Sequence, residues 1–284
     1  METTSERKPG WIRFKIPGGE KYTRVKNIIR KNKLHTVCLE AGCPNIGECF
    51  GCGTATFLIM GNICTRNCLY CAVSQGTPES PDADEPENIA SAVKELELKY
   101  AVITSVTRDD IPDGGSSIFA KTATAIKTRY PQCRIELLVP DFKTVMESSL
   151  DTIIAAGPHV INHNIEVVSS LYKQLRPAGD YELSLRLLSR AAAAGIPAKS
   201  GLMIGFGETI ADIEKTFGDL YAAGCRILTV GQYLQSRKNG FPVNKYYTPE
   251  EFTLIGDMAK NMGFERVMSG PLIRSSYHAA DMSE

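Results

Sequence analysis

Short apolar runs recur along the chain at 54–60, 101–106, 134–139, 160–165, 199–204 and 227–231, and amphipathic stretches fill the intervals at 87–98, 116–128, 142–156, 181–194 and 210–223. Within those stretches Ile153 and Ile154, and Leu183, Leu187 and Leu188, follow the period of a helix rather than that of a strand. Gly157, Gly195 and Gly224 each close a helical pattern, with Pro158 and Pro197 just beyond two of them. Strands separated by helices require right-handed crossovers and a parallel sheet. About six such units predict an α/β fold, a partial (β/α)6 TIM-like barrel, with catalytic loops gathered at the C-terminal ends of its strands.

The flanks read differently. Residues 1–53 are basic and broken by glycine and proline, with one helix expected near 22–33, and form an N-terminal extension that wraps a core built elsewhere. The barrel is expected over 54–248. Residues 249–284 form a C-terminal extension with one helix around 251–262 and then a tail.

Composition narrows the partners. The 284 residues balance 32 basic against 32 acidic side chains, so the strong positive field of a nucleic-acid binder is absent. No run of 18 apolar residues suggests a membrane span, and the polar first ten residues lack a signal-peptide core, so a cytoplasmic location is expected. Nine cysteines in such a chain point to metal or redox chemistry rather than disulfides. Cys133 and Cys225 flank apolar segments and read as small buried hydrophobes, whereas Cys52 lies close enough to Cys49 to replace or assist a ligand.

The other six form two triplets, Cys38-x4-Cys43-x5-Cys49 and Cys64-x3-Cys68-x2-Cys71. Structural zinc sites and iron–sulfur cubes normally take four protein ligands. A cube held by three thiolates leaves one iron open for chemistry, and this chain has the material for two. A zinc knot completed by His35 is the plainer alternative for the second triplet.

The second triplet follows the first barrel strand and carries Tyr70 just before its last cysteine, and it resembles the signature of the radical S-adenosylmethionine (SAM) superfamily. The first is rarer. With its surroundings, His35-Thr-Val-Cys38-Leu-Glu-Ala-Gly-Cys43-Pro-Asn45 and Gly47-Glu-Cys49, it resembles the lipoyl synthase family. The likeness continues through Met60-Gly-Asn-Ile-Cys64, Thr104-Ser-Val-Thr-Arg108-Asp-Asp, Asp113-Gly-Gly115 and Asn162-His-Asn-Ile-Glu166. It extends to Lys199-Ser-Gly-Leu-Met203, Val230-Gly-Gln-Tyr-Leu234 and Arg274-Ser-Ser-Tyr-His-Ala279, nearly the full chain in the family's order.

That resemblance implies an enzyme inserting sulfur at C6 and C8 of an octanoyl group on a lipoyl carrier, with an auxiliary [4Fe-4S] cluster as the sulfur donor. It implies two [4Fe-4S] clusters and SAM as cofactors. Cys64, Cys68 and Cys71 would hold the SAM-binding cluster. Cys38, Cys43 and Cys49 would hold the auxiliary one, with a serine oxygen at the fourth iron; Ser275 and Ser276 are the candidates and Ser276 is favoured. Thr104, Ser105, Asn164, Glu166, Arg176 and Gln232 are expected around SAM, Arg176 in a bidentate contact with its carboxylate and Glu166 on its ribose. The Asp113-Gly-Gly115 turn is expected near the methionine end and Gly231 near the adenine. Leu202, Met203, Ile204 and Phe206 are candidates for an octanoyl slot. Partners expected are an octanoylated carrier protein or domain, an electron donor such as a ferredoxin or flavodoxin, and an iron–sulfur assembly factor.

Some features stay open from sequence. Arg66, Lys31 and Lys33 either offset thiolate charge or are solvated cations, and Arg108-Asp109-Asp110 is either an internal ion-pair network or a substrate contact. His163 is either a core histidine or a functional one. The chain departs from the family at Leu39, usually acidic, and in the loop between Tyr233 and Val243, which lacks the usual histidine and places carrier preference in doubt. A biotin synthase-like enzyme and a non-catalytic cluster carrier are the competing readings.

Overall fold

The computed structural model describes residues 8–237 and 240–282; the start of the polar N-terminus and Lys238-Asn239 of the divergent loop lie outside the described residues. Seven parallel strands form one sheet in chain order: β1 (Thr56–Ile59), β2 (Tyr100–Ser105), β3 (Arg134–Leu138), β4 (Val160–Asn162), β5 (Ala198–Ile204), β6 (Ile227–Gln232) and β7 (Arg266–Gly270). A two-residue strand, His35–Thr36, adds antiparallel to the outer edge of β1. Helices cover the sheet, so strands such as β1, β2 and β6 are buried on both faces and read as continuous apolar runs.

Local chemistry explains the helix ends. Thr209 and Asp212 form a capping box on helix Ile210–Ala222, and Thr248 and Glu251 form another on Pro249–Met262, whose first residue is proline. Gly195 and Gly224 sit at φ +75° and +83°, the left-handed stop that glycine adopts without a side-chain penalty.

Six barrel strands were expected, and among the described residues seven parallel ones are present. The segment read as tail beyond the last helix contributes β7, which pairs with β6 from Arg266↔Ile227 to Gly270↔Gly231. Only Val267 and Met268 in it are strongly apolar, too short a run to read as a strand. The fourth run is shorter than expected, since β4 ends at Asn162, and a helix at Ser169–Leu175 had no sequence counterpart.

The N-terminal extension packs on the barrel through helix Glu20–Lys31, which starts two residues before the expected position and buries Val25, Ile28 and Ile29. Tyr22 lies against Phe50, 5.5 Å between ring centroids. At Gly47 the chain passes so close that a Cβ would stand 2.4 Å from the Lys15 carbonyl oxygen.

Candidate active site at the C-terminal ends of the strands

The loop after β1 carries the second triplet and is closed upon itself: Ile63–Cys64 pairs parallel with Ser74–Gln75, and Gly76 N–H donates to Cys64 O. Thr65 donates through both N–H and hydroxyl to Thr107 O beyond β2, and Leu69 N–H donates to Leu175 O. Arg66, inside the triplet, is buried and forks to two carboxylates. Its guanidinium donates to Asp141 at 2.6 and 2.8 Å and to Asp109 at 2.8 Å. Burial alone would raise the Asp141 carboxyl, but Arg66 and then Arg176 pull it down to about 2.

The first triplet is set in two short helices, Val37–Glu40 and Ile46–Gly51, and the turn between them. Cys43 N–H donates to Cys38 O, closing that turn. The loop after β7 folds over it. Asn45 Nδ2 donates to Leu272 O at 2.6 Å, and Tyr277 OH donates to Glu48 at 2.9 Å. This brings Arg274, Ser275 and Ser276 opposite the cysteines.

Both triplets line a single cavity of about 680 Å³. All six cysteines face it, together with Thr104 and Ser105 at the end of β2, Asn164 and Glu166 beyond β4, Arg176, and Ser275 and Ser276. Among the described residues no three His, Cys, Asp or Glu side chains converge on a point that would hold a single ion. A cube is bound otherwise, each thiolate to its own iron, so its ligands need not converge. The thiols are shielded: burial pushes Cys38 and Cys71 up to about 11 and Cys49 up to about 12, and raises Cys43 and Cys68. Loading iron onto them must therefore release protons.

The wall holds polar atoms without partners. Ser105 Oγ, His163 Nε2 and Asn164 Oδ1 are buried and make no hydrogen bond among the described residues. Buried polar groups are nearly always paired, so three orphans on one cavity wall mark the place of a polar ligand. Gly201 gives that ligand room, because a Cβ there would reach 2.8 Å from Asn164 Oδ1. His163 Nδ1 faces the Val139 carbonyl at 2.8 Å and must be the protonated nitrogen, which leaves Nε2 an acceptor. Glu166 is held at φ +69° by two backbone bonds to β5, its N–H to Gly201 O and its O from Met203 N–H. A left-handed non-glycine residue in such a place is strain held by its surroundings. Arg176 donates to Asn164 O and the Tyr172 hydroxyl and lies 3.9 Å from Asp141.

Comparison with known proteins gives this geometry a family. The model of the radical SAM superfamily matches residues 58–220, and that of the N-terminal domain of lipoyl synthase matches residues 1–43. A lipoyl synthase of Nitrosococcus oceani is 52% identical over 279 residues, covering 98% of this chain and 86% of that protein. One from a Roseiflexus species is 49% identical, covering 98% and 93%. The chain belongs to the lipoyl synthase family of radical SAM enzymes.

Solved structures agree on the fold. SuiB of Streptococcus suis bound to S-adenosylmethionine superposes with a TM-score of 0.60 at 9% identity, over 74% of this chain and 49% of that one. Methylornithine synthase gives 0.56 at 13% identity, over 72% and 61%.

Within the lipoyl synthase frame, one residue expected at the cofactor has its side chain engaged elsewhere. Gln232 is not on the cavity wall: its Nε2 donates to Ile204, Tyr233 and Lys245 carbonyls and its Oε1 accepts from Tyr247 N–H, so it ties the chain beyond β6 to the barrel. Asp113-Gly-Gly115 is likewise a helix start, with Asp113 accepting from Gly115 and Ser117 N–H. Gly231, Leu202 and Met203 line the cavity; Ile204 and Phe206 do not, and Phe206 stacks on Tyr233 at 4.2 Å. Arg108 is bound to Asp110 and to the Met60 and Glu79 carbonyls off the wall, which makes its cluster an internal brace. His35 pairs with Glu40 and does not face the cavity, and Lys31 reaches Glu95. Cys133 and Cys225 are buried as expected, and Cys52 is exposed.

Two groups on or behind the wall had no role from sequence. Asp141 follows Pro140 after β3, and nothing in an isolated aspartate signals that it joins Arg66 and Arg176. Arg274 was visible only as part of a motif; in the fold burial pulls its guanidinium down, against the opposing pull of Cys43 and Glu166.

Proposed function

We propose that the chain inserts two sulfur atoms at C6 and C8 of an octanoyl group carried on a lysine of a lipoyl carrier domain, the sulfur coming from an auxiliary cluster. The observation that carries this reading is the meeting of both cysteine triplets on one cavity wall, with the Arg274-Ser275-Ser276 segment closing over the first. The bonds to be broken are unactivated C–H bonds, beyond the reach of any side-chain acid or base at neutral pH. A reduced cluster with SAM bound would supply the missing chemistry, the radical hydrogen abstraction that no side chain provides.

The residues of the chain divide the remaining work. Cys64, Cys68 and Cys71 hold the SAM-binding cluster, and the rigid Arg66 fork keeps their loop in place. Arg176 meets the SAM carboxylate. The orphaned Ser105 and Asn164 oxygens and the strained Glu166 accept from its ammonium and ribose hydroxyls. Cys38, Cys43 and Cys49 hold the auxiliary cluster, and Ser276 supplies the fourth ligand. Ser275 is already engaged, accepting from Asn164 Nδ2 at 3.1 Å, whereas Ser276 makes no side-chain hydrogen bond among the described residues. A serine oxygen holds iron less well than thiolate does, which suits a cluster that must come apart. Leu202 and Met203 form the apolar side of the octanoyl slot. Electrons come from a ferredoxin or flavodoxin, and an assembly factor rebuilds the consumed cluster.

The test is an anaerobic single turnover of reconstituted protein with SAM, dithionite and an octanoyl-lysine peptide, read by mass spectrometry. The expected product gains two sulfurs, with about two 5′-deoxyadenosines formed per product. Cleavage of SAM with no sulfur on the peptide would overturn the substrate assignment.

A further inference from the structure

The chain is neutral as a whole but its charge is unevenly placed. Between positions 8 and 33 stand nine lysines and arginines and one acidic residue, Glu20, so the rest of the chain carries the compensating acidic excess. All nine cations are exposed. Among them Lys21, Lys26 and Arg30 make no ion pair with any described residue, while Arg24 and Lys31 reach helix Glu85–Glu95 and Lys15 pairs with Glu48. Lys26 and Arg30, four apart, share one face of the helix.

The same segment exposes apolar groups: Ile16 is 92% exposed, Trp11 44% and Phe14 40%. Lone exposed apolar residues need no explanation, but three within six positions, interleaved with cations in the sequence, have the make-up of a binding surface. The start of the segment reaches the site. Lys8 and Phe14 line the cavity, and the helix behind them packs through Tyr22 on the element that carries Cys49.

We propose that segment 8–33 is a docking lip for an acidic carrier domain, Trp11, Phe14 and Ile16 forming its apolar centre and the free cations its rim. This rests on the function proposed above and adds the recognition surface. An acyl chain amide-linked to a lysine enters the cavity only if the domain bearing that lysine rests on the rim, and the basic side of the rim selects an acidic face. Complementary charge of this kind raises the association rate and is screened by salt. The acidic excess elsewhere disfavours an extended polyanion, which would need cations continuing beyond the lip.

The experiment uses anaerobic holo protein and a fluorescently labelled octanoylated carrier domain of net negative charge, with binding read by anisotropy. Lys21→Glu/Lys26→Glu/Arg30→Glu lies outside the cavity wall. It should weaken carrier binding about tenfold or more and flatten its salt dependence, leaving turnover of the short octanoyl-lysine peptide unchanged. Wild-type protein should itself bind the carrier more weakly as salt rises from about 50 to about 300 mM, a readout independent of whether the variant folds. Carrier affinity indifferent to both charge reversal and salt would overturn the lip. So would carrier binding unchanged by a reversal that abolishes binding to duplex DNA or anionic vesicles. Because binding is read directly, failure of the peptide to gain sulfur counts against the function alone.

Discussion

The two triplets face one cavity but are fixed by different means. The second belongs to a loop closed on itself and braced by the barrel, its central Arg66 buried between Asp141 and Asp109. The first is carried by the N-terminal extension and capped by the loop after β7, held by single hydrogen bonds such as Asn45 to Leu272 and Tyr277 to Glu48. A neutral hydrogen bond such as that of Asn45 contributes about 1 kcal/mol net and one to a carboxylate such as Glu48 about 1.5–3 kcal/mol, whereas removing one partner of a buried charge pair costs about 3–5 kcal/mol. One triplet is therefore rigidly set. The other is assembled from two distant parts of the chain. This difference matches the proposed division of labour, repeated radical generation at the braced site and a cluster consumed and rebuilt at the other.

The sharpest break between the two comes from removing one thiol from each. Cys68→Ala should abolish both 5′-deoxyadenosine formation and sulfur insertion, because the brace cannot replace a ligand. Cys38→Ala should leave 5′-deoxyadenosine formation within about twofold while product falls below detection, since the two sites share a cavity but not their supports. Both products are read from one anaerobic reaction by liquid chromatography and mass spectrometry. Lipoyl product from Cys38→Ala would show that the first triplet does not furnish the sulfur.

A smaller change probes the brace itself. Asp141→Asn keeps the shape but leaves buried Arg66 with Asp109 as its carboxylate partner and removes the charge beside Arg176. The expected loss is about 3 kcal/mol in denaturant unfolding, with SAM affinity weakened and the first cluster still assembled. Equal loss of iron from both triplets would mean that the two are not independently supported.

How much of this was legible depended on whether the information was local. The strand–helix alternation, the six cysteines and the serine motif are local patterns, and the fold brings all of them to one cavity. What failed was non-local. β7 is invisible as a sequence run because its pairing with β6, not its own apolar content, makes it a strand. Gln232 stands at a strand end, where a polar side chain reads as a ligand contact, yet three carbonyls around it, from the end of β5 and from the segment beyond β6, hold its amide. Asp141 was overlooked for the converse reason, since its importance lies in Arg66 75 positions away in the chain. His163 could not be assigned from its apolar neighbours because it is both things at once, a core ring bonded to Val139 and a free acceptor on the wall.

That histidine gives the mildest test, and one confined to the braced side. Burial first, and then the positive charge of Arg176, hold its ring at about 4, although Asp141 and the Val139 bond pull the other way. The ring is thus neutral in the folded protein at pH 6, where an unfolded chain, with an ordinary histidine near 6.5, binds a proton. A depressed histidine favours the fold fully only above about 6.5, and its contribution drains away as pH falls toward 4. Between pH 7 and 5 the loss is about 2 kcal/mol. His163→Gln keeps a donor for Val139 and removes the titration, so the difference between wild-type and variant stability should shrink by that amount over the same interval. Denaturant titrations at pH 7, 6 and 5 measure it. A difference that stays constant would mean that water or a ligand reaches Nε2 and accommodates the proton, and the orphaned wall would then lose one of the three acceptors assigned to it.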